Sequence, residues 1–292
     1  MDQAQQLRNI IKANNHSQKP LARVITVTSG KGGVGKSNTS INLAIQFRKM
    51  GQRVVILDAD FGLANIEIMF GTVPKHNLSD LIYQGKSIKE IITWGPMEVG
   101  FISGGSGIAG LSNLTKENIA FIIQKLSELD SIADVIIIDT GAGISEAVLG
   151  FLVASQEILL VTTPEPTSIT DSYSLLKALN RHPDFSKEET KIRMIANKVL
   201  KRGDGESLYH KLYSVVTRYL EIPMEYLGEV PEDGQLSKAV MQQKPVSMEN
   251  PTAKSALAYE ELTAILANKE INKTGSRRGM TAFLSHILSR KK

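Results

Sequence analysis

The strongest chemical signal in the sequence is an eight-residue loop that follows a run rich in Val and Thr. Gly30-Lys31-Gly32-Gly33-Val34-Gly35-Lys36-Ser37 satisfies G-x-x-x-x-G-K-S and leads through Asn38 into a segment of helical period. Glycines let a backbone wrap around phosphate oxygens, so that several N–H groups and the positive end of the next helix converge on one negative charge. In such a loop Lys36 reaches the β- and γ-phosphates, and the Ser37 hydroxyl ligates Mg²⁺. The expected ligands are ATP or ADP and Mg²⁺.

Two carboxylate signals fit the same chemistry. Leu57-Asp58-Ala59-Asp60 ends an apolar run one strand-and-helix unit after the loop. A carboxylate there can orient an attacking water or hold Mg²⁺ through its hydration shell. Asp-x-Asp alone is a weak signal, because an Asp-rich turn looks the same. Val135-Ile136-Ile137-Ile138-Asp139 is a fully apolar run closed by an acid, the arrangement that brings a carboxylate out of a buried strand beside Mg²⁺. Thr140-Gly141-Ala142-Gly143-Ile144 follows, and its glycines allow backbone movement when a γ-phosphate arrives or leaves.

These residues must be positioned by strands and helices in alternation. Val- and Ile-rich runs predict strands over 23–29, 53–58, 99–103, 135–139, 158–162, 191–197 and 225–228. Helical periodicity between them predicts helices over 36–50, 116–129, 145–154, 168–181, 205–220, 235–241 and 252–267. The pattern is that of an α/β, doubly wound, mostly parallel sheet flanked by helices, with its active edge at the carboxyl ends of the strands.

Composition limits the alternatives. No cysteine is present, which excludes disulfides, thiolate metal sites and cysteine nucleophiles. No apolar run is long enough to span a bilayer, and the first residues lack a secretory pattern, so a cytoplasmic address is expected. With 292 residues, 42% hydrophobic, one main domain over 21–267 is expected. Residues 1–20 precede it and a polar linker over 268–278 follows. Seven of the 34 basic residues but only one acid fall in 269–292, so the body is slightly acidic and the tail basic.

The tail has a second property. Met280, Phe283, Leu284, Ile287 and Leu288 recur at helical spacing, and Arg277, Arg278, Arg290, Lys291 and Lys292 flank them. An amphipathic helix over 279–292 lying on the anionic inner face of the cell membrane accounts for both features. A helix packed on the protein's own body needs the same apolar face, and the pattern alone does not separate the two. At the other end Ala4, Leu7 and Ile11 fall on one side of a short helical stretch, which fits a partner-binding helix or a frayed terminus.

Two lysines around the Gly-Gly-Val-Gly core resemble the deviant phosphate loop of the MinD/ParA class of P-loop NTPases. That resemblance implies that Lys31 crosses a homodimer interface to the partner's nucleotide, so that hydrolysis requires ATP-dependent dimerisation. It implies that Asp60 positions the attacking water and that Asp58 and Asp139 stand on the metal side with Ser37. Thr163-Pro164-Glu165-Pro166 with Ser168 and Asp171 resembles the segment that meets the neighbouring subunit's lysine, with Asn65 as a further dimer contact. Asn197, Pro231 and Glu232 resemble the adenine-side elements. The start, Asp2-Gln3-Ala4-Gln5-Gln6-Leu7-Arg8, is similar to the D-Q-A-x-x-L-R signature of the flagellar MinD-like ATPases of the FlhG family. In that family Asp2, Gln3, Ala4, Leu7 and Arg8 would engage an FlhF-type GTPase, with Gln3 the key residue, and flagellar basal-body (C-ring) proteins are further possible partners.

The resemblance covers roughly 2–8, 21–266 and 279–290. It implies control of flagellar number and placement. A cell-division MinD would share the body and tail but not the N-terminal extension. ParA-type partition requires a basic body for DNA, and the slightly acidic balance makes nucleic acid an unexpected partner. A metabolic P-loop enzyme would have no use for a detachable tail.

Overall fold

A computed structural model describes residues 21–60, 65–104, 124–268 and 279–288. The strands are β1 (Arg23–Ser29), β2 (Val54–Ala59), β3 (Thr93–Trp94), β4 (Gly100–Ser103), β5 (Val135–Ala142), β6 (Glu157–Thr162), β7 (Lys191–Val199) and β8 (Met224–Pro231). The main helices are α1 (Lys36–Lys49), α2 (Asn65–Phe70), α3 (Glu146–Ala154), α4 (Pro166–Asn180), α5 (Asp204–Leu220), α6 (Gly234–Met241), α7 (Lys254–Asn268) and α8 (Gly279–Leu288). Short helical turns stand at Leu78–Tyr83, Ile88–Ile91, Leu129–Ile132 and Val246–Glu249.

The sheet runs β3-β4-β2-β5-β1-β6-β7-β8, parallel throughout except where β3 pairs antiparallel with β4. All seven expected strands are present. The eighth, β3, has two residues and is too short to leave a periodic signal. Central strands are buried on both faces, which is why they read as unbroken Val/Ile runs. Ile25, Val27, Ile56 and Ile137 face α1 and α7 on one side of the sheet. Val55, Leu57, Ile136 and Ile138 face the other side, shared by α3 and α8.

Strand order and register determine the site. β5 lies between β1 and β2, so the loop leaving β1 and the acids closing β2 and β5 emerge side by side. Asp58 is directly paired with Asp139, and Val27, two residues before the end of β1, pairs with Asp139 from the other side. Thr140 Oγ1 donates to Val27 C=O at 3.2 Å, tying the start of the second glycine segment to the phosphate-loop strand.

At the amino ends of the strands Glu157 is held between Arg23, at 2.7 Å, and Arg193. α8 lies on the body rather than apart from it. Met280, Phe283 and Leu284 are buried against Phe151 of α3 and neighbouring side chains. The Phe283 ring stacks on Phe151 with centroids 6.1 Å apart. Asp130 caps the helix, accepting from the Met280 N–H at 2.9 Å. Residues 1–20, the segment 61–64, the first part of the expected 116–129 helix and the linker over 269–278 lie outside the described residues.

Candidate nucleotide site

The loop is shaped by close approaches that only glycine allows. Gly35 takes φ +94, and a Cβ there would fall 2.2 Å from Asn197 Nδ2. At Gly30 a Cβ would meet the α4 backbone at Asp171, 2.2 Å away. Gly35 also caps α1 without any side-chain hydrogen bond, and the first turn of α1 carries no acid. Its N–H groups therefore point into the loop with the positive end of the helix behind them, an anion site by construction.

Lys36, Ser37 and Ser40 converge on Asp139. Asp139 is fully buried and accepts from Ser37 Oγ and Ser40 Oγ, each at 2.7 Å, with Lys36 Nζ at 3.2 Å. Asp58, also buried, accepts from the Asp60 N–H at 3.1 Å and the Ile66 N–H at 3.4 Å. Burial, then the charge of Asp139, pushes the Asp58 carboxyl up to about 7. Burial also raises the Asp60 carboxyl, and Lys36 opposes that rise. Asn65 Nδ2 donates to Asp60 at 3.1 Å, which aims the carboxylate across Gly141. One cation thus faces three carboxylates, a balance that invites a metal ion.

The donor set suits Mg²⁺ held together with a nucleotide. Mg²⁺ keeps several waters and asks a protein for only one or two oxygen ligands, here the Ser37 hydroxyl with Asp58 or Asp139 nearby. Among the described residues no cluster of three or more acidic or imidazole side chains forms a cage of its own. A bound Mg²⁺ would supply positive charge beside the β- and γ-phosphate oxygens.

β7 carries an orphan acceptor beside the loop. Asn197 Nδ2 donates to Val34 C=O at 2.7 Å, but its buried Oδ1 has no partner. An unpaired buried acceptor costs about 1–3 kcal/mol, and an adenine amino group is a donor of the right kind. Lys198, next in sequence, takes φ +57 and reaches Gly33 C=O at 3.0 Å, so β7 grips the loop from above. Glu232 N–H donates to Val199 C=O at 2.9 Å, placing Pro231 and Glu232 beside Val199, two residues past Asn197.

Lys31 stands apart from this cluster. Its Nζ lies 2.8 Å from Glu165 Oε2 and 2.8 Å from Thr167 Oγ1 of the same chain, at the exposed start of α4. The ammonium beside Glu165 lowers the carboxyl below its usual range. Lys31 and Lys36, five residues apart, thus hold different acids at different depths. The resemblance implied that Glu165 meets the neighbouring subunit's lysine, whereas here it holds Lys31 of its own chain; no signal in the sequence pointed to Thr167, and Ser40 was missed. Ser40 was accessible, because it lies one turn beyond Lys36 and Ser37 on the same helix face. Asn38 continues α1 from the loop and the Asp171 backbone lies against Gly30, while α8 brings Met280, Phe283, Leu284 and Ile287 to the body beside Phe151.

The family model for the CobQ/CobB/MinD/ParA nucleotide binding domain matches residues 25–246. The chain belongs to that family. Within it, the chain is 40% identical over 238 residues to Antiactivator FleN of Pseudomonas aeruginosa, covering 82% of this chain and 84% of the relative. It is 31% identical to the Flagellum site-determining protein YlxH of Helicobacter pylori, covering 98% of each. Septum site-determining protein MinD of Bacillus subtilis is 24% identical, over 85% of this chain and 91% of the relative. Among solved folds, MinD complexed with Mg-ADP from Pyrococcus horikoshii superposes with a TM-score of 0.65 at 22% identity, over 85% of this chain and 97% of that one. The solved neighbour shares the fold, and nucleotide binding follows from membership in this nucleotide binding domain family together with the loop geometry.

Proposed function

We propose that this protein is an Mg·ATP-dependent, dimerising ATPase of the flagellar branch of its family, acting on flagellar number and placement. The observation that carries the reading is the position of Lys31, at the mouth of the site and turned to an exposed acid instead of to the buried acids that engage Lys36. A side chain so placed is available to a nucleotide bound across an interface, where it would supply charge in trans. The name of one relative supports the flagellar assignment, since the Flagellum site-determining protein YlxH, at 31% identity over 98% of both chains, is more similar than the septum-site relative at 24%.

In this reading Asp60 orients the attacking water and the oriented loop N–H groups with Lys36 stabilise charge on the phosphoryl oxygens. ADP and phosphate leave, the interface loses its bridging charge, and the dimer separates. α8 would exchange its seat on the body for the membrane when two copies are joined, because two weak anchors on one particle gain avidity of about 10²–10⁴-fold. The N-terminal residues Asp2, Gln3, Ala4, Leu7 and Arg8 would stimulate an FlhF-type GTPase, and basal-body proteins would be further partners.

Light scattering with a slowly hydrolysed ATP analogue and Mg²⁺ tests the core of this proposal. The expected result is a dimer for the wild type and a monomer for Lys31→Ala that still binds nucleotide. A Lys31→Ala protein that dimerises as well as the wild type contradicts it.

A further inference from the structure

The sheet ends at β8, and among the described residues no strand pairs with its outer side. A strand turns alternate N–H and C=O groups to either side, so an open edge of eight residues is a template for another extended chain. Two helices wall this edge. Met224 and Tyr226 join the apolar cluster under α5, whereas Leu227 and Val230 join Tyr259 and Leu262 under α7 on the opposite face. Between the helices runs a groove of about 320 Å³, floored by Tyr226-Leu227-Gly228-Glu229 and walled by Glu206, Ala258, Glu261 and Ile265.

The groove is held open by specific residues. At Gly228, φ is +153 and a Cβ would lie 2.7 Å from Leu262 Cδ2, so glycine lets α7 stand close to the edge without covering it. Glu229 accepts from the Gly203 and Gly205 N–H groups at 3.3 and 3.1 Å, fixing the start of α5 at the rim. Tyr209 Oη donates to Met224 C=O at 2.7 Å, which occupies the first carbonyl of the strand and leaves the groove to the residues after it.

The lining selects what fits. The α7 wall is apolar at Ala258, Leu262 and Ile265, and the lining carries three carboxylates, Glu206, Glu229 and Glu261, against Arg202 alone. We infer that the outer edge of β8 is a docking groove for an extended basic segment of a partner protein. The segment adds as a further strand, with apolar side chains toward α7 alternating with Lys or Arg toward Glu206. A second copy of this chain would bring an equally acidic rim to this one, and like charges oppose that pairing. The groove shares no residue with the phosphate loop, so the inference stands apart from the ATPase reading.

The test uses the full chain and a labelled, end-capped octapeptide of alternating Val and Lys, followed by fluorescence anisotropy and hydrogen exchange. The peptide is expected to bind saturably, to protect the Tyr226–Val230 amides, and to bind about tenfold more weakly when alternate peptide nitrogens are methylated or when Lys is replaced by Glu. Ala258→Trp, which fills the groove, is expected to weaken binding by a similar factor. Should that variant not fold, exchanging the exposed pair Glu206→Lys and Glu261→Lys must reverse the preference between the Lys and Glu peptides. Equal binding of the methylated or Glu peptide, protection elsewhere, or no binding at about 1 mM overturns the inference. So does wild-type self-association that Ala258→Trp abolishes, which would give the groove to a second copy.

Discussion

At the residue scale the site is an electrostatic arrangement suited to a polyanion and a cation. Lys36 places its ammonium beside the fully buried Asp139. Removing one partner of a buried pair leaves the other uncompensated, a loss of about 3–5 kcal/mol. Lys36→Ala is therefore expected to lower the midpoint of thermal unfolding as well as to eliminate Mg·ATP binding in calorimetry. Asp58 gives a pH prediction. Its carboxyl is raised from 3.8 to about 7, so it holds a proton more tightly folded than unfolded. Its contribution to the stability of the nucleotide-free protein is complete below the unfolded value and is lost as pH rises through that window. Asp58→Asn should flatten this pH dependence in urea titrations between about pH 4 and 7; a dependence unchanged by the substitution would place the titrating group elsewhere. The loop and the acids closing β2 and β5 were legible because each is contiguous in sequence. The contact from Lys31 to Glu165 and Thr167 was not, because it joins two strand ends more than 130 residues apart and only the sheet order brings them together.

At the element scale the buried parallel strands left the clearest trace, and boundaries shifted where caps or ladders reached further. β5 extends through Ala142, since Thr140 and Gly141 continue the ladder before Gly143 turns at φ +89. α4 starts at Pro166, ahead of the expected 168, because proline suits the first helical turn. α8 is the informative case. Its apolar stripe was legible, whereas its seat was not, because a lipid surface and the groove beside Phe151 ask for the same pattern. Burying Met280, Phe283 and Leu284 is worth about 1.5–3 kcal/mol each as an upper estimate, set against the entropy of tethering the helix. The docked helix should thus open as a local unit. Phe283→Ala is expected to speed hydrogen exchange in Gly279–Leu288 at least tenfold while leaving the central strands protected. Equal acceleration in β1 and β5 would mean that the helix is an integral part of the core.

At the scale of the whole molecule charge is divided between body and tail. A slightly acidic body and a basic tail separate the nucleotide machine from its proposed anchor. No described helix is long and apolar enough to cross a membrane, and the attachment proposed above is a surface contact. A contact built on basic residues weakens with ionic strength, and binding to anionic vesicles should fall steeply between about 50 and 500 mM salt if the tail makes it. Vesicle composition should matter in the same sense, with neutral lipid taken up poorly.

Flotation with anionic vesicles measures in one tube whether ATP joins two copies and whether the joined pair holds lipid. With Mg²⁺ and a slowly hydrolysed ATP analogue most of the protein should rise with the vesicles; with ADP, or after removal of 277–292, it should stay at the bottom. Equal flotation with ADP and the ATP analogue would contradict this coupling.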